Sequence, residues 1–150
     1  MSDLRDLYQE IILDHGKRPR NHRAIDGGAR KAEGANPLCG DRVRVYVKLE
    51  GDVIADASFL GSGCAISTAS ASLMTDSLKG KTTDEAKKLL RAFVDLVKGL
   101  EISPRERDDL GKLASLSGVC AYPVRVKCAT LAWHTLLAAL EARPDPVTTE

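Results

Sequence analysis

Between Arg42 and Phe59 the chain reads as two half-buried strands folded back on each other, and this hairpin limits what the rest can be. Val43, Val45, Val47 and Leu49 alternate with Arg42, Arg44, Tyr46 and Lys48. Glu50-Gly51-Asp52 turns the chain, and Val53, Ala55, Ala57 and Phe59 alternate on the way back. Side chains in a strand change face at every residue, so each strand has one apolar face. A sheet with a single apolar face needs helices to cover it.

The flanking sequence supplies them. Ser2 can cap a helix over about 3–15, with Leu4, Leu7, Tyr8, Ile11 and Ile12 on one face and Gly16 as its stop. The basic stretch 15–23 reads as surface loop, and 30–34 as a short edge strand. Residues 64–79 read as a helix ended by Gly80. Thr82 with Glu85, and Ser103 with Glu106, are capping boxes that open two more, the first running to about Lys98 and the second to about Leu110. Pro104 stands where a first helical residue should be. A loop follows to Tyr122, and Pro123 opens a last helix to about Ala142. The expected class is α+β: a small antiparallel sheet of about three strands with helices packed on one face. One domain spans residues 1–150, and about 143–150 form a frayed tail.

Formal net charge is +1, which names no nucleic-acid or membrane partner. The charged start resembles no signal peptide, and no apolar run approaches the roughly 18 residues of a membrane span. The expected location is cytoplasmic, where disulfides rarely persist. Cys39, Cys64, Cys120 and Cys128 then point to metal or catalysis, or are small buried hydrophobes.

Register bears on that choice. The apolar faces of the hairpin match if paired residue numbers sum to about 102, with Val43 opposite Phe59 and Val45 opposite Ala57. Extending this register sets Cys39 opposite Gly63, next to Cys64. Continued strand geometry would put Cys39 and Asp41 on the valine-bearing side. Cys64 opens a helix, and Cys128 lies in the first turns of the last one beside Arg125 and Lys127, surroundings that favour thiolates. Three sulfurs and one oxygen suit tetrahedral Zn²⁺.

The stretches LYQEIILDHGKRPRN, NPLCGD, GSGCAIS with ASASLM, and YPVRVKCATLAW resemble the U-type iron–sulfur cluster assembly proteins, the IscU/NifU-N-like family. The likeness runs from about residue 5 to 135, and is greater to the SufU-type branch than to the IscU-type scaffolds. Lys127-Cys128 stands where the scaffold branch has His-Cys, and the path between the second and third shared cysteines is longer, near LVKGLEISPRERDDLGKL. The resemblance implies a zinc-bound sulfur acceptor. Cys39, Asp41, Cys64 and Cys128 would be the zinc ligands, and Cys39 the catalytic nucleophile. Its partners would be a SufS-like, pyridoxal-phosphate (PLP)-dependent cysteine desulfurase and downstream iron–sulfur scaffold proteins. Arg125, Lys127, His15 and Arg20 are candidates for site support or partner contact. The rival expectations are a scaffold holding iron as a transient 2Fe–2S cluster on the same ligands, and a non-catalytic module whose zinc only holds the fold. Cys120 reads as a spare thiol, His134 as core or surface, and Trp133 as core.

Overall fold

The alternating segment forms β2 (Asp41–Glu50) and β3 (Val53–Ser62), antiparallel across a two-residue turn in which Gly51 takes φ 64°. The computed structural model describes residues 2–143 and 145–148, and the side chains of residues 2–5, including the Ser2 cap and Leu4, lie outside the described part. The register differs from the expected one. Val45 pairs with Phe59 and Val47 with Ala57, and a bulge leaves Ala55 unpaired between the Lys48–Asp56 and Leu49–Ile54 pairs. The extra residue switches the face of the strand. Ile54 is therefore buried and Ala55 exposed, the reverse of the simple alternation.

Residues Arg30–Asn36 form β1, which pairs antiparallel with β2 through the turn at Pro37–Gly40. It is an interior strand and not the expected edge, because β4 (Val147–Thr148) pairs parallel with it at Gly34 and Ala35. The sheet order is β3-β2-β1-β4. The expected frayed tail is thus corrected at Val147 and Thr148, while residues 144, 149 and 150 lie outside the described ones.

The helices are α1 (Ser2–Lys17), α2 (Ala65–Leu78), α3 (Thr83–Val97), α4 (Pro104–Leu110) and α5 (Pro123–Leu140). Both expected capping boxes form, at Thr82–Glu85 and Ser103–Glu106. The stretch Gly111–Ala121, expected as loop, is 3₁₀ helix, with Leu113 and Leu116 buried. α5 lies against β1 and β2, and α2 against β3. Trp133 of α5 is fully buried and stacks on Phe93 of α3 with centroids 4.7 Å apart. On α1, Tyr8, Ile11 and Ile12 pack on this core, while Leu7 is 50% exposed. α1 passes through the expected stop at Gly16 to Lys17, and it is at Gly16 that it meets Ala65 at the start of α2.

The basic stretch after α1 is anchored as well as exposed. His15 is buried, its Nδ1 2.7 Å from Ser72 Oγ, and the Arg20 amide donates to the same oxygen. With that oxygen already accepting, the Ser72 proton is free for a neutral His15. Burial first, then the charge of Arg20, pushes the His15 pKa down. The Arg20 guanidinium donates to Asp14 and holds its carboxyl below the usual range. The loop then reaches the sheet, where Phe59 N–H donates to the Asn21 carbonyl.

Gly34 faces α5, where a Cβ would lie 2.1 Å from Thr135 Oγ1 and 3.1 Å from Leu131 Cδ1. Gly34→Ala is predicted to cost about 1–3 kcal/mol in urea unfolding, with part recovered by adding Thr135→Ala. A second prediction concerns pH. The stability conferred by neutral His15 is complete above the ordinary histidine pKa of about 6.5 and is lost as pH falls from there towards the lower folded-state value. His15→Gln should flatten that part of the stability–pH curve.

Candidate metal centre

Three elements converge beyond the sheet end where β1 turns into β2. Cys39 sits in the Pro37–Gly40 turn, Asp41 is the first residue of β2, and Cys128 is in the second turn of α5. Their ligand atoms all lie within 4.8 Å of one another. The expected strand extension through Cys39 does not occur, because the chain bends back into β1 at this point. It is Asp41 that covers Gly63: a Cβ on Gly63 would lie 2.4 Å from Asp41 Oδ1.

Cys64 joins through its backbone. Its N–H donates to Asp41 Oδ1 at 2.9 Å, fastening the start of α2 to the start of β2. Its sulfur caps α2 by accepting from Ser67 N–H at 3.4 Å. That sulfur is not within 4.8 Å of all three other ligand atoms, yet it is near enough to act on Cys128. Burial first, then Asp41, Cys39 and Cys64 in turn, push the Cys128 thiol far above its ordinary pKa. Cys128 is fully buried and Cys39 is exposed.

The donor set fits a divalent cation. Asp41 is fully buried, and among the described residues its Oδ2 has no hydrogen-bond partner. A buried carboxylate oxygen without a partner costs free energy, and a cation would relieve it. Binding of such an ion would release the protons of the crowded thiols to solvent. Sulfur and carboxylate together suit zinc, with Cys39, Asp41, Cys64 and Cys128 as the residues available to hold it.

The supporting candidates separate. Arg125 lines a mainly apolar groove of about 580 Å³ with Tyr8, Ile66, Val119 and Tyr122. Lys127 lines a different cleft, of about 620 Å³, with Lys98, Cys120, His134 and Arg143. Cys120 lies on the 3₁₀ segment against Gly99, apart from the thiol–carboxylate cluster. Burial, then the charge of Lys98, lowers the pKa of His134. His15 is inside the fold, and Arg20 is tied to Asp14 and Ser72, so both brace the loop after α1. Asn36 was not singled out as a site residue from sequence. It is fully buried, with Nδ2 3.9 Å from Cys128 Sγ. Its place at the head of NPLCGD was the one available signal.

Fold and site together define a small α+β protein with a thiol–carboxylate cluster able to take a metal ion. The model of the NifU-like N-terminal domain matches residues 7–129. The zinc-dependent sulfurtransferase SufU of Bacillus subtilis (strain 168) is 43% identical over 135 residues, covering 90% of each chain. The iron–sulfur cluster assembly scaffold protein IscU of Streptococcus pyogenes serotype M1 is 43% identical over 141 residues, 94% of this chain and 87% of that one. A crystal structure of a candidate iron–sulfur cluster assembly scaffold protein for the SUF system, from Fervidobacterium islandicum AW-1, superposes with a TM-score of 0.82. It is 38% identical and covers 87% of this chain and 94% of that one. The chain belongs to the NifU-like N-terminal domain family, and is similar to both SufU-named and IscU-named proteins of iron–sulfur cluster assembly. No helix among the described residues is long and apolar enough to cross a membrane.

Gly63→Ala is predicted to push Asp41 aside and to weaken zinc binding by about 10–100-fold in chelator competition. Helix content by circular dichroism should stay as in the native chain.

Proposed function

We propose that this chain is a zinc-bound sulfur acceptor. Cys39 takes sulfur from the persulfide of a PLP-dependent, SufS-like cysteine desulfurase and passes it to downstream iron–sulfur scaffold proteins. The observation that carries this reading is the unequal treatment of three sulfurs. Cys64 accepts an N–H from Ser67, and Cys128 faces the Asn36 amide nitrogen. Among the described residues no such donor reaches Cys39, which is also exposed. Cys39 is therefore the most accessible of the three sulfurs and the one least held in place by its neighbours.

Zinc, when bound, would keep these thiols deprotonated at neutral pH. The chain supplies the rest. Asp41, Cys64 and Cys128 are rooted in or directly beside regular elements, whereas Cys39 rides on a turn. Cys39 can thus move out while the others stay. Its thiolate attacks the outer sulfur of the partner's persulfide. That S–S bond breaks, the partner's cysteine leaves as thiolate, and the new S–S bond is on Cys39. No external oxidant or reductant is consumed.

Lys127 supports zinc sulfur transfer over cluster assembly. A protonated lysine cannot ligate, and it occupies the place of a potential histidine ligand. The scaffold reading, in which a transient 2Fe–2S cluster is assembled on the same residues, draws on the scaffold name of the Streptococcus relative. Anaerobic purification separates them: a colourless protein with one zinc supports the first, a brown one with iron and sulfide the second. Incubation with desulfurase and cysteine, followed by mass mapping, should place the extra sulfur on Cys39. Cys39→Ala should abolish stimulation of desulfurase turnover. Unchanged turnover, or sulfur only on Cys64 or Cys128, would sink the assignment and favour a zinc that merely holds the fold.

A further inference from the structure

Every backbone N–H offered by the turn Pro37–Gly40 is taken by one residue. Pro37 has none. Leu38 N–H donates to Asn36 Oδ1 at 3.3 Å. Cys39 N–H and Gly40 N–H donate to the Asn36 carbonyl at 3.2 and 2.8 Å. Asn36 also pairs across the hairpin with Asp41. Its side chain is fully buried, and its orientation is fixed by chemistry: the atom that accepts from Leu38 must be the oxygen. The nitrogen therefore faces Cys128, 3.9 Å from its sulfur, the span of a weak N–H···S contact. Asn36 thus touches two cysteines in different ways, accepting from the backbone N–H of Cys39 and facing the Cys128 sulfur with its amide nitrogen.

We infer that Asn36 is a positioning residue that holds the Cys128 sulfur in the metal-binding set independently of Cys39. This deepens the sulfur-acceptor reading and rests on it. A thiol that leaves the set to accept sulfur removes one ligand, so the remaining ones must keep the ion. Cys128 sits on α5, far in sequence from the turn. The Asn36 amide links that helix to the β1–β2 hairpin from the β1 side. Nδ2–H donation to the thiolate of Cys128 orients and stabilises it, while Oδ1 and the backbone carbonyl fix the turn from which Cys39 departs. Movement of Cys39 then need not disturb Cys128.

A double-mutant cycle tests this with zinc alone and chelator competition. The four proteins are the native chain, Asn36→Ser, Cys39→Ala, and the double variant. Serine keeps an oxygen able to accept from the amide two residues on, but it is too short to reach Cys128. Asn36→Ser should weaken zinc binding about 10–100-fold, by a similar factor with Cys39 present or absent. A penalty that vanishes in the Cys39→Ala background assigns Asn36 to the turn alone and overturns the inference, as does no penalty in either background. Cobalt-loaded protein gives a second readout, since only folded chains show its thiolate charge-transfer band. In the Cys39→Ala background this band should shift to lower energy when the N–H donor is lost, and an unmoved band counts against the role. Persulfide mapping keeps the two claims apart. Sulfur on Cys39 without a zinc penalty ends the Asn36 role alone, whereas the expected cycle with no sulfur on Cys39 ends the acceptor reading alone.

Discussion

A carboxylate closed off from water fixes the geometry of this protein's chemistry. Asp41 begins β2, accepts from the amide of Cys64 at the head of α2, and lies over Gly63, which has no side chain to displace it. One oxygen is satisfied and the other is not. A buried acid left in that condition is costly, so the arrangement persists where the rest of the fold over-determines it. α5 on β1 and β2, and α2 on β3, provide that determination from two sides. The same acid that joins the sheet to a helix therefore also belongs to the cluster it forms with Cys39 and Cys128.

The members of the cluster come from different kinds of structure. Asp41, at the start of a ten-residue strand, and Cys128, inside an eighteen-residue helix, inherit the rigidity of backbone ladders. Cys64 uses its own sulfur to cap a helix. Cys39 has only a short turn beneath it. A ligand set that held an ion and also reacted would meet opposing demands, and under the proposed function these fall on different residues.

Much of this was legible in the sequence, and the failures have physical causes. The capping boxes at Thr82 and Ser103 and the proline start of α5 were readable because each depends on residues within one turn. The β2–β3 hairpin was readable as an alternation, but its register was not. Alanine at positions 55 and 57 is acceptable on either face, so the apolar pattern could not reveal the bulge that buries Ile54. The gathering of Cys39, Asp41 and Cys128 followed from their motifs, while the reason for it differed, since Cys39 lies on a turn between β1 and β2. Asn36 escaped notice, and His15 was singled out without its bracing role being told apart from partner contact, for a shared reason. Each is a polar residue whose significance is set by a partner more than fifty positions away, Ser72 in one case and Cys128 in the other. β4 had no signal at all, for two residues carry no period.

Exposed strand edges invite pairing with other chains. On one side β4 lies along part of β1, and on the other the Asn21 carbonyl binds Phe59 while Val53 bridges to Thr82. Among the described residues, each border is thus covered along part of its length. Cover at both borders leaves less of the sheet open to pairing with the strands of another chain.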